Sequence, residues 1–270
     1  MRRRLLRVVA TSALATALVV PGGAQPARAV DVGTIATVIS FASQALSYYN
    51  SSQSGGMTLE QATTLIVQQV QASQTAIIAH MDQLAAAEAK ACARHHVLEF
   101  ADIEEFSLSL KQRWAQDVTA CVTLIDSLYG AVGGPGNSVT RHELGMALGA
   151  VGPIALVARA QARFDTTGLK ALLVAAFDRI RISFTPYCYA TPNVSEEYWD
   201  MYPGESWVPA WYTCFSVSGD PTVGSWTEYQ VGRWAWGAPL DFPNHQRIFD
   251  EAGRRSAYGV AVAALAQLRP

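Results

Sequence analysis

The residues best suited to chemistry lie between Ile182 and Gly232, where Trp199, Tyr202, Trp207, Trp211, Tyr212, Trp226 and Tyr229 stand among six carboxylates and no Lys or Arg. Flat rings cover the apolar face of a sugar or attract a cation, and carboxylates accept the hydrogen bonds such ligands donate. Trp207, Trp211, Tyr212, Trp226, Glu205 and Glu228 are the candidate ligand-binding residues. Glu205 and Glu228 would also suit a glycosidase, which needs one proton donor and one nucleophile or base at a set separation. The competing expectation is structural, because a small β subdomain needs large side chains for its core.

Two further groups have chemistry-bearing spacing. In Arg94-His95-His96-Val97-Leu98-Glu99-Phe100-Ala101-Asp102, helical geometry puts His95, Glu99 and Asp102 on one face, where a metal could sit. Neither His-Glu-x-x-His nor its inversion is present, so a solvated helix surface is the plainer reading and no metal is expected. The uncharged stretch from Leu144 to Ala158, followed by another helical stripe, resembles the hairpin of a helical pore-former. As a helix it reaches only roughly 22 Å against a hydrocarbon core of about 30 Å, so a buried central helix is preferred and no membrane contact is expected.

Other reactive patterns are missing. There is no Gly-x-Ser-x-Gly elbow, no phosphate-binding Gly loop and no Cys pair at metal spacing, and His80, His142 and His245 stand apart along the chain. No cofactor is expected, and no catalytic residue is assigned. The leading expectation is a released, non-catalytic binding or interaction protein that contacts a glycan, a cell-wall component or a secreted partner protein through the aromatic, acidic segment. A secreted polysaccharide hydrolase and a membrane-active helical protein are the alternatives.

The elements that must hold these residues begin after an export signal. Met1-Arg2-Arg3-Arg4-Leu5-Leu6-Arg7 is a charged start, Val8 to Val20 is a short apolar run, and Ala27-Arg28-Ala29 offers small residues where a signal peptidase reads them. Residues 1–29 are read as a cleaved signal peptide, with a secreted, extracellular product. The paired arginines also resemble a twin-arginine signal, although Met1 stands where Ser or Thr is expected. Loss of five arginines takes 20 basic residues to 15 against 22 acids, about −7 with His neutral. Without clustered Lys and Arg, nucleic acid is excluded as a partner. Arg outnumbers Lys and Ala is abundant, a composition expected of a GC-rich bacterial genome.

Residues 30–181 read as a helical bundle. Ile35, Val38, Ala42, Ala45 and Tyr49 form a first stripe that stops in a linker at Asn50–Gly56. Thr58 and Gln61 form a capping box, and Ala62, Leu65, Ile66, Val70, Ile77, Met81, Leu84 and Glu88 trace the face of one long second helix. Leu110, Trp114, Val118, Cys121, Ile125 and Leu128 form the seam of a third, with Ser109 and Gln112 repeating the capping pattern. If these two fold back as a hairpin, Cys92 and Cys121 lie at equal distances from its turn, so they are paired. Thr140 and Glu143 are expected to open a fourth helix kinked at Gly152-Pro153, and Leu169, Leu172, Leu173, Ala176, Phe177 and Ile180 mark a fifth.

Residues 182–240 change texture: Pro and Gly recur, the period nears two, and six of the seven Trp fall between Trp199 and Trp236. This is read as a disulfide-tied β insertion with a type II turn at Tyr202-Pro203-Gly204-Glu205 and a Cys188–Cys214 bridge across it. Residues 241–270 should form one last helix from Pro243, capped by Asp241, with Tyr258, Ala261, Val262, Leu265 and Leu268 on the bundle. The expected fold is mainly α (α+β): five or six helices with a small aromatic β insertion before the C-terminal helix.

Overall fold

Apolar stripes at helical spacing become helices wherever a face can be buried, and the computed structural model shows a mainly α protein with a small antiparallel sheet before its last helices. It describes residues 32–81, 86–133, 137–192, 205–216, 221–231, 235–239 and 242–269. The signal peptide, the turn residues Tyr202 to Gly204 and the Asp241 cap lie outside the described residues.

Helix α1 (Val32–Gln53) buries its expected stripe completely, together with Phe41 and Leu46. It runs on into the expected linker until Gly55, whose φ of 81° is a left-handed conformation that glycine adopts without a Cβ clash. Helix α2 (Leu59–Met81) opens on the capping box: the Thr58 N–H donates to Gln61 Oε1 at 2.9 Å and the Gln61 N–H to Thr58 Oγ1 at 3.1 Å. The single long second helix is corrected here. It ends at Met81 and α3 (Ala87–Glu99) starts anew after Ala86, whose backbone is extended, leaving Glu88 exposed and Leu84 outside the described residues. One straight helix packed on α1 could not also turn Ala89, Ala93 and Val97 toward the next helices of the bundle, which α3 does.

A 3-10 turn (Phe100–Glu105) leads into α4 (Leu108–Ala131). Ser107, not Ser109, is the cap: its Oγ accepts from the Leu110 N–H at 3.4 Å. Trp114, Val118, Cys121 and Ile125 are buried, while Leu110, in the first turn, is exposed. The Cys92–Cys121 bridge joins α3 to α4 as the hairpin geometry requires.

Helix α5 (Ser138–Gln161) begins before the expected Thr140 cap, so Thr140 lies inside the helix and Glu143 is buried. It continues unbroken through Pro153, and every residue from His142 to Ala158 is buried. Gly149 permits this close packing, because a Cβ there would come within 2.2 Å of Val260 Cγ1 on the last helix. After α6 (Thr167–Ser183), which buries Leu169, Leu173, Ala176, Phe177 and Ile180, the chain enters the sheet.

Strands β1 (Tyr187–Pro192), β2 (Glu205–Phe215), β3 (Pro221–Val231) and β4 (Ala235–Pro239) form an antiparallel meander in that order. The expected single terminal helix is two: α7 (Phe242–Gly253) and α8 (Ala257–Leu268), separated at Ser256, whose Oγ accepts from the Tyr258 N–H at 3.2 Å. The break serves two different partners. Helix α7 packs on β2 and β3, and α8 packs on α1, α5 and α6. Restarting the helix also resets its face: Ala257, Val260 and Ala264 join Ala261, Leu265 and Leu268 in the core, whereas Val262 is exposed. The buried residues divide accordingly into a large core in the bundle and a small one of Tyr212, Cys214, Ile248 and Ala252 between sheet and α7.

Candidate functional site

Neighbouring residues of a strand face opposite sides of its sheet, and residues paired across strands share a side. Cys188 pairs directly with Cys214, and their bond is formed. That side is closed. Cys214 and Tyr212 are buried against Ile248 and Ala252 of α7, and the His245 ring lies 3.8 Å from the Tyr212 ring between centroids. Burial in this contact lowers the His245 pKa, which keeps the imidazole neutral near neutral pH.

The other side is open and carries rings. Tyr187 is 69% exposed, Trp211 43% and Tyr189 42%. The register pairs Tyr187 with Phe215, Tyr189 with Thr213 and Thr191 with Trp211, which gathers these residues on one face of adjacent strands. The Tyr189 ring stacks on Phe215 at 5.8 Å with 20° between planes, and Tyr187 lies 6.1 Å from Tyr189. Such offset ring pairs hold one another in orientation at little entropic cost, so the surface is ordered before any ligand arrives.

Register separates the six residues singled out from sequence. Trp211 lies on the open face and Tyr212 is buried beneath it. Glu205 and Trp207 are at positions in the same alternation as Trp211 along β2, whereas Trp226 pairs with Ala210 and Glu228 with Val208, in the alternation of Tyr212. The side chains of Glu205, Trp207, Trp226 and Glu228 lie outside the described residues. Tyr187, Tyr189 and Phe215 were not among them. The signal for all three was in the chain, since an antiparallel bridge from Cys188 to Cys214 pairs the tyrosines on either side of Cys188 with Phe215 and Thr213.

No family model matches the chain, and no curated protein or solved structure is similar to it.

The second candidate group is tied up within the helices. His95 Nε2 lies 3.3 Å from Glu99 Oε2, and the same oxygen accepts from Trp114 Nε1–H at 2.9 Å. His96 points inward, edge-on to Trp114 with ring centroids 5.2 Å apart, and its pKa is lowered to about 4 by burial and then by neighbouring His95, with Asp117 opposing. Its Nδ1 is buried without a hydrogen-bond partner among the described residues. Among the described residues no group of three His, Cys, Asp or Glu could hold a metal. Helix α5 is long and apolar enough to cross a membrane, but it is enclosed by α1, α2, α3, α4, α6 and α8, the surroundings of a core helix.

Proposed function

We propose that this protein is an exported binding protein that contacts a glycan through the open face of its sheet. The observation that carries this reading is the row of exposed rings on one side of β1 and β2, over a sheet whose other side is closed by α7. Exposed rings are what a sugar's apolar face stacks on, and those exposed here do not contribute to the core beneath. Export is supported by the charged, apolar and small-residue segments of residues 1–29. Both disulfides are compatible with an extracellular location.

The test is a pull-down on insoluble cell-wall polysaccharide. Trp211→Ala and Tyr189→Ala should each leave the protein folded and reduce the bound fraction several-fold. Wild-type protein that stays in the supernatant with every glycan overturns the proposal. Export is checked separately: secreted protein should begin at Val30, and an intact N-terminus in the medium overturns cleavage after Ala29.

A further inference from the structure

Strand β1 is an edge of the sheet: β2 pairs with one side of it, and no described strand pairs with the other. Which backbone groups point outward follows from the place of the disulfide. Directly opposed residues of an antiparallel pair lie about 5.5 Å apart between Cα atoms where they exchange hydrogen bonds and about 4.5 Å apart where they do not. Cys188 and Cys214 are directly opposed at 4.1 Å, so theirs is a pair without hydrogen bonds. Tyr187, Tyr189 and Thr191 therefore bond to β2, whereas the N–H and C=O of Cys188 and Ala190 point away from it. Among the described residues no backbone bond beyond the ladder reaches either one, and α7 packs on β2 and β3.

Such an edge is a template for another strand, and proteins commonly guard it with a charge, a bulge or a proline inside the strand. Strand β1 is Tyr-Cys-Tyr-Ala-Thr-Pro, without a charge, and its register with β2 is regular from end to end. Proline guards only its limits. Pro192 takes the next outward position after Ala190, where it offers no N–H, and Pro186 precedes the strand at the same distance from Tyr189 on the other side. The open stretch of backbone is thus symmetric about Tyr189.

We infer that β1 pairs with β1 of a second copy of this chain, antiparallel about a two-fold axis at Tyr189, so that two sheets join into one. In this register Cys188 faces the partner's Ala190 and Ala190 the partner's Cys188, which pairs every outward N–H of β1 with a carbonyl. Pro192 falls opposite the partner's Pro186, so the ladder stops at the same residue in both copies. An unrelated strand would find the same donors without the matching stops. On the open face Tyr189 meets the partner's Tyr189 at the axis and Tyr187 meets the partner's Thr191, cross-strand pairs that add to the ladder. The inference goes beyond the glycan reading and does not depend on it. Because paired residues share a side of a sheet, the exposed tyrosines of both copies lie on one continuous surface.

The experiment is sedimentation equilibrium on the full secreted protein without ligand. A paired edge is a small interface, so wild type should pass from monomer to dimer with a dissociation constant on the order of 10 µM. Tyr189→Lys and Tyr189→Glu each set like charges opposite one another at the axis and should each weaken the dimer by about tenfold or more; an equal mixture of the two should restore it as a heterodimer. Trp211→Ala, on β2, should leave the dimer intact. All three variants are at exposed positions, and unchanged circular dichroism shows that they fold. Wild type that stays monomeric at about 200 µM overturns the inference. A dimer that survives Tyr189→Lys, or a lysine and glutamate mixture that stays monomeric, overturns the pairing at Tyr189. A dimer lost with Trp211→Ala packs face to face and overturns the edge. Glycan binding is read in the pull-down, so either reading can fail while the other stands.

Discussion

His96 carries an acid liability that only its surroundings explain. It is buried against Trp114, its Nδ1 has no partner among the described residues, and its folded pKa of about 4 lies below the ordinary 6.5. The unfolded chain therefore takes up the proton first. Stability is complete above pH 6.5, falls as pH drops toward 4, and the loss levels off below that. The expected loss is on the order of 3 kcal/mol. Urea unfolding at a series of pH values should show it in wild type and not in His96→Leu; parallel profiles would disprove the burial account. Gly149 gives a residue-scale test of packing. Gly149→Ala drives a Cβ into the stiff Val260 side chain and should cost about 1–3 kcal/mol in thermal or denaturant unfolding. These residues also show what sequence reading reaches. Val260 stood outside the expected face of Tyr258, Ala261, Val262, Leu265 and Leu268, and His96 was legible only as one of two adjacent histidines. Which of the pair turns inward depends on where α4 packs, and neighbours distant in sequence decide that.

At the scale of elements, each bridge should hold what it joins. Cys92–Cys121 spans 29 residues and Cys188–Cys214 spans 26, so chain entropy assigns about 3–4 kcal/mol to either. Their removal should nevertheless differ in consequence. Cys92→Ala with Cys121→Ala should lower the melting temperature of the helical signal, because α3 and α4 belong to the main core. Cys188→Ala with Cys214→Ala should leave that signal and weaken ligand binding, because β1 is a short strand held to β2 by one six-residue ladder and a small core besides the bridge. Equal loss of helix in both variants would contradict this. Element boundaries were legible where the cap was local. Thr58 and Gln61 complete their box within one turn; Thr140 and Glu143 show the same pattern inside a helix that had already begun. The new start of α3 after Ala86 was not legible, because Ala-rich sequence fits a continuing helix equally well, whereas Gly253 and Ser256 are stop and cap residues that did signal the break before α8.

The whole molecule is a bundle around α5 with a sheet and α7 attached, and among the described residues α7 meets α8 at few places. Phe249 meets Tyr258 edge-on at 5.9 Å, and Gly253 lies where Tyr258 and Pro186 leave no space for a side chain. With its own small core, the sheet should open before the bundle. Hydrogen exchange should therefore show backbone amides of β1 and β2 exchanging faster than those of α5, whose amides wait for global unfolding; uniform protection would speak against two cores. The direct pairing of Cys188 with Cys214 has a last effect, on quality of assembly. A hairpin misaligned by a single residue sends one sulfur up and the other down, and no bond can then close between them. Oxidation thus acts as an inspection step, and a molecule that carries the bond has its tyrosines turned to the medium.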